Sequence, residues 1–398
     1  MKKTTLVGVT TALALTCFSG AAVQAQTDLS EALSSGEVGL NFRLRYEDVS
    51  WDGLSDSDAL TLRTRLSYTS GSFHGFRLML EMDDVTEVGT VDYRTALNDT
   101  ENPGTAIIAD PEGTEVNQAY FSYTQGETEA RLGRQRILLD NQRFVGGVGW
   151  RQNEQTYDAF SVRNESLADT TLFYAYVDNV NRIFGEQNVI GDHRQDTHLF
   201  NAQYRGFGVG KLTGYAYLID NESAPALSSD TFGVRWLGTI NPQWSYTLEY
   251  AIQSDAGDSP LDYSTDYMLA EVAGKFGPVS AKVGYEVLGS DDGEVGFATP
   301  LATLHAFQGW TDRFLETPGT GIEDIYVSLG AQLAGINFGL AYHDLSSNEG
   351  SISYGREIGF SAAKRVGPVN LLLKYADYSA NDFGSDTQKL WLMAEASF

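Results

Sequence analysis

The chain has 398 residues, with 27 lysines and arginines against 53 aspartates and glutamates, a formal net charge of −26. Acidity of that size argues against nucleic acid as a partner, because phosphate backbones repel it. One cysteine, Cys17, and five scattered histidines without HxxxH or HExxH spacing argue against thiolate chemistry and zinc, so neither a metal nor a cofactor is expected.

Lys2 and Lys3, the apolar run Leu6–Phe18 and the small-residue site Val23-Gln24-Ala25 read in order as a signal peptide over residues 1–25, cleaved on export through the Sec pathway. Cleavage removes Cys17, two lysines and no acids, so the mature net charge is −28 and no disulfide can form. Residues 26–36 make a short N-terminal segment, and residues 37–398 one domain without a linker.

No run of about 18 apolar residues follows, so no transmembrane helix is expected. Period-two alternation recurs instead in segments of about ten residues. Val38, Leu40, Phe42, Leu44 and Tyr46 oppose Asn41, Arg43, Arg45 and Glu47. Leu60, Leu62, Leu66 and Tyr68 oppose Thr61, Arg63, Arg65 and Ser67, and Phe76, Leu78, Leu80 and Met82 oppose Arg77, Glu81 and Asp83. Alternation blurs near Tyr120–Tyr123 and Arg131–Arg136, where a bulge is expected. It returns clearly at Tyr246–Gln253 and again at the C-terminus, where Leu390, Leu392, Ala394, Ala396 and Phe398 stand at every second place.

A soluble β-sandwich would also alternate, but the connections decide against it. Eight short ones, such as Thr124–Thr128 and Phe276–Val279, alternate with nine long ones, among them Asp84–Gly113, Leu138–Gln155 and Gly289–Gly321. Tight turns at one rim and long loops at the other, with a terminal aromatic, belong to an outer-membrane barrel. The fold class is therefore an all-β, transmembrane antiparallel β-barrel of about 18 strands. Its setting is a Gram-negative outer membrane, with lipopolysaccharide as a neighbour. Phe398 resembles the terminal aromatic that the barrel-assembly machinery reads.

If the apolar face meets lipid, the opposite face lines water and describes the cargo. That face carries Arg43, Arg45, Arg63, Arg65, Arg77 and Arg131, followed by Arg134, Arg136, Arg143 and Arg151, with Lys275, Lys282, Lys374 and Lys389 later in the chain. Guanidinium forks in a lumen favour anions, carboxylates in particular. The structural alternative is that lumenal acids such as Glu47, Glu81, Asp83, Glu249, Glu271, Glu286 and Glu395 neutralise them in the wall. Tyr120, Tyr267, Tyr326 and Trp391 also face inward, where they suit a sugar slide or plain wall packing. The acidic loop clusters Asp52, Asp56, Asp58 and Asp291, Asp292, Glu294 suit divalent cations or a solvated loop.

Two blocks carry a family resemblance. Gly133–Ala159 (GRQRILLDNQRFVGGVGWRQNEQTYDA) and Phe297–Asp324 (FATPLATLHAFQGWTDRFLETPGTGIED) resemble the alginate export porin family of Gram-negative bacteria, within a likeness running from about Phe42 to Phe398. The resemblance implies a monomeric 18-stranded barrel whose basic lumen conducts acidic oligo- or polysaccharide. Carried onto this chain, it points to Arg134, Arg136, Arg143 and Arg151, with Asp140 and Glu154 as acidic partners. It also names His305, Trp310, Asp312 and Arg313 as candidates for an inward-folded loop.

The leading expectation is a porin, a passive channel for anionic saccharides or other anionic solutes, in which Leu132–Asp158 forms a constriction. The alternative is a general or neutral-sugar porin. An enzyme would have to use His343-Asp344 with Ser346 and Ser347, the only compact grouping, and is not expected. An adhesin or phage receptor would use the long loops Asp84–Gly113 and Gly289–Gly321.

Overall fold

A computed structural model describes residues 28–89, 93–100 and 102–398. The expected signal peptide, with Cys17, lies outside them, as do residues 26 and 27 of the N-terminal segment. The rest of that segment is one short helix, α1 (Leu29–Ser34), capped by the Asp28 carboxylate, which accepts from Ser30 N–H at 2.8 Å.

Strands follow in the order β1 (Glu37–Trp51), β2 (Ser57–Thr69), β3 (Phe76–Glu87), β4 (Gly113–Gln125), β5 (Thr128–Gln135), β6 (Thr156–Asn164), β7 (Thr170–Asn181), β8 (Asp192–Tyr204), β9 (Gly210–Ile219) and β10 (Ser229–Thr239). They continue as β11 (Trp244–Asp255), β12 (Ser264–Phe276), β13 (Val279–Leu288), the two-residue pair β14 (Ser290–Asp291) and β15 (Val295–Gly296), β16 (Ile322–Leu333), β17 (Ile336–Ser346), β18 (Ser353–Val366), β19 (Val369–Ala380) and β20 (Thr387–Ser397). All but β14 and β15 form one 18-stranded antiparallel sheet. Because β1 pairs with β2 on one side and β20 on the other, the sheet closes and leaves no edge.

The alternation explains which solvent each face meets. Leu44 and Leu66 on the outer face are 40% and 51% exposed, while Arg43, Arg45 and Arg63 on the inner face are each 1% exposed. A soluble sandwich reverses this order; apolar groups outside and charges inside suit hydrocarbon around and a polar lumen within. The expected connections are all present: eight tight turns at the rim where β1 begins and β20 ends, and nine longer loops at the other. Gly126, Gly277 and Gly367 each open a two-residue turn with φ of 59°, 60° and 58°, which a side chain would strain.

The bulge lies upstream of its expected place. In β4 the extra residue is Asn117, between the pairs Glu81↔Gln118 and Met82↔Val116, whereas Thr128–Gln135 pairs regularly with both neighbours. The blurred alternation at Arg131–Arg136 has another cause. Gly133 sits where a Cβ would lie 2.3 Å from the Ala119 carbonyl oxygen, so that position is kept bare by close strand approach.

Candidate functional site in the barrel lumen

After β5 the chain turns into the lumen instead of crossing the rim. In residues 136–155, Ile137, Phe144, Val145, Arg143 and Gln152 are all buried. The loop after β13, residues 289–321, also turns inward, with Phe297 and Leu301 buried. The two meet in a short parallel bridge, Val145↔Leu301. Gly146 N–H donates to Leu301 O at 2.8 Å and Thr303 N–H to Gln142 O at 3.0 Å. Gly146 has no room for a side chain, since a Cβ would stand 2.3 Å from Thr303 Oγ1. Phe144 seats the first loop among the rings of Tyr267, Tyr215 and Phe297, at centroid distances of 5.1, 5.3 and 5.9 Å. A third loop, residues 88–112, brings in Asp110, whose Oδ1 accepts from Gln152 N–H at 2.8 Å.

Arg43, Arg45, Arg63 and Arg65 stand on β1 and β2, facing these loops. Arg45 lies 2.9 Å from Glu47 and 3.6 Å from Asp110, donates to the Trp150 carbonyl and stacks on its ring at 4.5 Å. Arg65 reaches Asp83 at 2.5 Å and Glu154 at 2.7 Å. Arg43 and Arg63 are direct cross-strand partners and share one carboxylate, Glu395, at 3.2 and 3.5 Å. Arg43 Nη1 donates to the loop carbonyls of Gly149 and Arg151 and Arg63 Nη1 to that of Gln152, while Arg63 Nη2 also donates to Asn41 and both Nε groups stay buried without a partner among the described residues. Arg136 bridges Glu81 and Glu154. Arg143 pairs with Glu286 at 2.7 Å, and Arg151 with Glu47 at 2.9 Å and Asp312 at 3.0 Å. Wall pairing, the structural alternative, therefore accounts for most of the basic cluster.

The remaining candidates separate. Arg131 faces inward near the tight-turn rim, 3.0 Å from Glu129 and stacked on Tyr120 at 5.2 Å. Lys282 pairs with Glu271 at 2.9 Å. Arg77 faces inward with no ion pair among the described residues. Arg134 is a correction: it shares the face of lipid-exposed Leu132 and pairs with Asp158 at 2.9 Å and Glu186 at 2.7 Å. Strand parity places it outside the lumen. Asp140 is another correction, since it accepts from Asn201 at 2.8 Å and Lys211 at 3.3 Å and not from the arginines. Glu154 does hold Arg65 and Arg136.

In the second loop His305, Trp310 and Asp312 converge on the β19–β20 wall. His305 Nδ1 is 2.6 Å from Asp312, and its Nε2 is 2.7 Å from Lys374 Nζ. The Lys374 ammonium sits over Trp310 at 4.1 Å, Trp150 at 4.2 Å and Trp391 at 5.4 Å. Glu357 accepts from the backbone N–H groups of Trp310 and Thr311 and from Thr311 Oγ1. Burial, then the neighbouring Lys374, pushes the His305 imidazole down to about 3. Burial opposes the charge on Asp312, but Lys389, His305 and Arg151 outweigh it and hold its pKa well below the usual carboxylate range. Arg313 turns away and stacks on Trp51 at 4.0 Å. His343, which faces the lumen, pairs with Asp324 at 2.9 Å, while Asp344 faces outward to Arg356 at 3.3 Å, so the expected compact grouping is split. Among the described residues no group of three or more His, Cys, Asp or Glu is arranged to hold a metal.

Sequence reading missed Asp110, Gln152, Gln308, whose side-chain oxygen accepts from Arg143 at 3.2 Å, and Glu357. The first lies in a long acidic loop and the last on a strand outside the early arginine cluster, so nothing local marks either as lumenal.

With an 18-stranded closed barrel and two inward loops in place, a family profile described as alginate export matches residues 35–285. The chain belongs to the alginate export family. The first inward loop falls within the matched residues; the second, Gly289–Gly321, lies beyond them. No curated protein matches the chain. Among solved structures, it is similar to Pseudomonas aeruginosa OpdK, crystallised with vanillate, at 14% identity, covering 92% of this chain and 99% of that one with a TM-score of 0.73. Pseudomonas aeruginosa OccK3 (OpdO) matches at 13% identity over 93% and 97%, with a TM-score of 0.71. Acinetobacter baumannii OccAB2 matches at 18% identity over 92% and 99%, with a TM-score of 0.70. At these identities the likeness establishes the fold. This family member is an outer-membrane porin-like barrel, and fold and family point to transport rather than catalysis.

Proposed function

We propose that the protein is a passive channel for anionic solutes, acidic oligosaccharides among them, screened where the two inward loops meet the β1–β2 wall. The observation carrying this reading is the Arg43–Arg63 pair. Two fully buried guanidiniums face each other across adjacent strands and share the single carboxylate of Glu395, whose side chain is 21% exposed. Glu395 is the exposed member of the three, so a carboxylate that displaces it meets guanidiniums already stripped of water, with no new desolvation cost for them. Planar recognition of this kind suits a uronate better than a neutral sugar.

The reading includes a cleaved leader over residues 1–25, a barrel from residue 37, lipopolysaccharide around it, and a monomeric working unit. Phe398 supports insertion by the barrel-assembly machinery: its backbone closes onto Leu40 at 2.8 and 3.0 Å, and its side chain is left 70% exposed.

The test is the reversal potential of single channels in a salt gradient. Anion preference, with current block by uronate oligomers added at low salt, is the expected result; cation preference with no uronate effect would sink the proposal. The near-complete pairing of Arg45, Arg65, Arg136, Arg143 and Arg151 favours a second reading, a general or neutral-sugar porin. Liposome swelling that is equal with neutral sugars and uronates would select it.

A further inference from the structure

Arg313 is the one candidate of the second loop that the constriction does not use. Its guanidinium lies over the Trp51 ring at 4.0 Å, yet among the described residues no carboxylate lies within 4.0 Å of it and it makes no hydrogen bond. In a chain with 53 acidic residues that isolation is notable, because most inward arginines of the barrel are paired. Its Nε is sealed from solvent, while both unbonded Nη atoms keep solvent access.

The surroundings hold this arrangement in place. Trp51 ends the inward row of β1 at the long-loop rim and is pinned by its Nε1–H donating to Ser385 Oγ at 3.0 Å. Beside it, Gly384 leaves room for the fork, since a Cβ there would stand 2.6 Å from Arg313 Nη2. Phe383, next in the same loop, packs with the buried Phe314 and Tyr354 at centroid distances of 5.8 and 4.7 Å, which anchors the loop that carries Gly384. Of the two acids of that loop, Asp382 and Asp386, neither lies within 4.0 Å of a guanidinium nitrogen of Arg313, and Asp386 accepts from Ala380 N–H at 2.8 Å.

We propose that Arg313, backed by Trp51, is an outer capture site for the carboxylate of an acidic sugar, at the loop rim ahead of the constriction. The carboxylate takes the solvent-facing Nη edge while Trp51 holds the guanidinium plane from behind. The inference rests on the channel reading above and adds a side to it: the first anion contact is made from the loop rim.

The experiment uses the full chain in planar bilayers, with a uronate trisaccharide added in turn to the loop side and the tight-turn side. Arg313→Gln is expected to lower the association rate of block about five-fold or more from the loop side and leave the other side unchanged. Arg313→Lys, which keeps the charge but loses the fork, should recover only part of it. Unchanged potassium chloride conductance and heat-modifiable gel mobility report an intact barrel, and Arg313→Lys serves alone if the glutamine variant fails to fold. Equal loss from both sides, or none, overturns the capture site and leaves the channel reading standing. Absence of block in the unsubstituted protein overturns both.

Discussion

The two inward loops occupy one lumen but are held in different ways. Residues 136–155 are fastened by charge: Arg136 to Glu81 and Glu154, Arg143 to Glu286, and Arg151 to Glu47 and Asp312. The tip of residues 289–321 has fewer charged fastenings: Asp312 pairs with Lys389 on the wall at 2.7 Å and with Arg151, Glu357 accepts from Trp310 and Thr311, and Lys374 has rings and His305 around it with no acid within 4.0 Å among the described residues. A loop held by several buried ion pairs resists release, because breaking one leaves an uncompensated charge behind. A loop whose tip has one ion pair to the wall, with neutral hydrogen bonds and rings for the rest, yields more readily.

The largest effect should follow from Arg151→Ala, which strips Glu47 and Asp312 of a buried partner. A loss of about 3–5 kcal/mol is expected, read as a lower midpoint of the heat-modifiable transition. A midpoint like that of the unsubstituted protein would refute the view that the first loop is charge-fastened. Glu357→Ala should cost less, about 2–3 kcal/mol, but free the tip around Trp310 and raise single-channel conductance. If conductance stays put, the Asp312–Lys389 pair suffices to hold the tip.

Acid should loosen the second loop next. His305 titrates at about 3 in the fold against 6.5 ordinarily, so its neutral form adds stability that is complete above 6.5 and fades as pH falls toward 3. Asp312 acts in the same direction at lower pH, since its folded pKa lies well below 3.8 and its contribution is lost as pH falls through the folded value. Folding stability of His305→Gln should therefore depend less on pH between 6.5 and 3 than that of the unsubstituted protein; parallel profiles would rule this out. Arg77→Ala should be the mildest, within about 0.5 kcal/mol, because that side chain has no ion pair or hydrogen bond to lose among the described residues. A large drop in the midpoint would show that it is held after all.

Much of the architecture was legible along the chain. Period two in Val38–Glu47 and in Leu390–Phe398, together with tight turns such as Gly126-Glu127, is local, and local patterns survive folding. The inward faces of Arg43, Arg45, Arg63 and Arg65 follow from parity alone. The inward reading of Arg134 rests on the blurred alternation around Arg131–Arg136 and on the family resemblance, whereas parity with exposed Leu132 puts it outside. Asp140 was assigned to the arginines because it is near them in sequence. In the fold the loop carries it across the lumen to Lys211 on β9.

By itself, the sequence determined a closed barrel, its strand number, its inward arginines and the alternation of rims, since each depends on neighbours two residues or one turn apart. Only the tertiary structure decided that Leu301 meets Val145, that Glu395 serves both Arg43 and Arg63, and that Asp312 and Arg313, adjacent in the chain, face a buried network and the loop rim respectively. Those pairings join residues more than a hundred positions apart, and only closing the sheet brings them within reach.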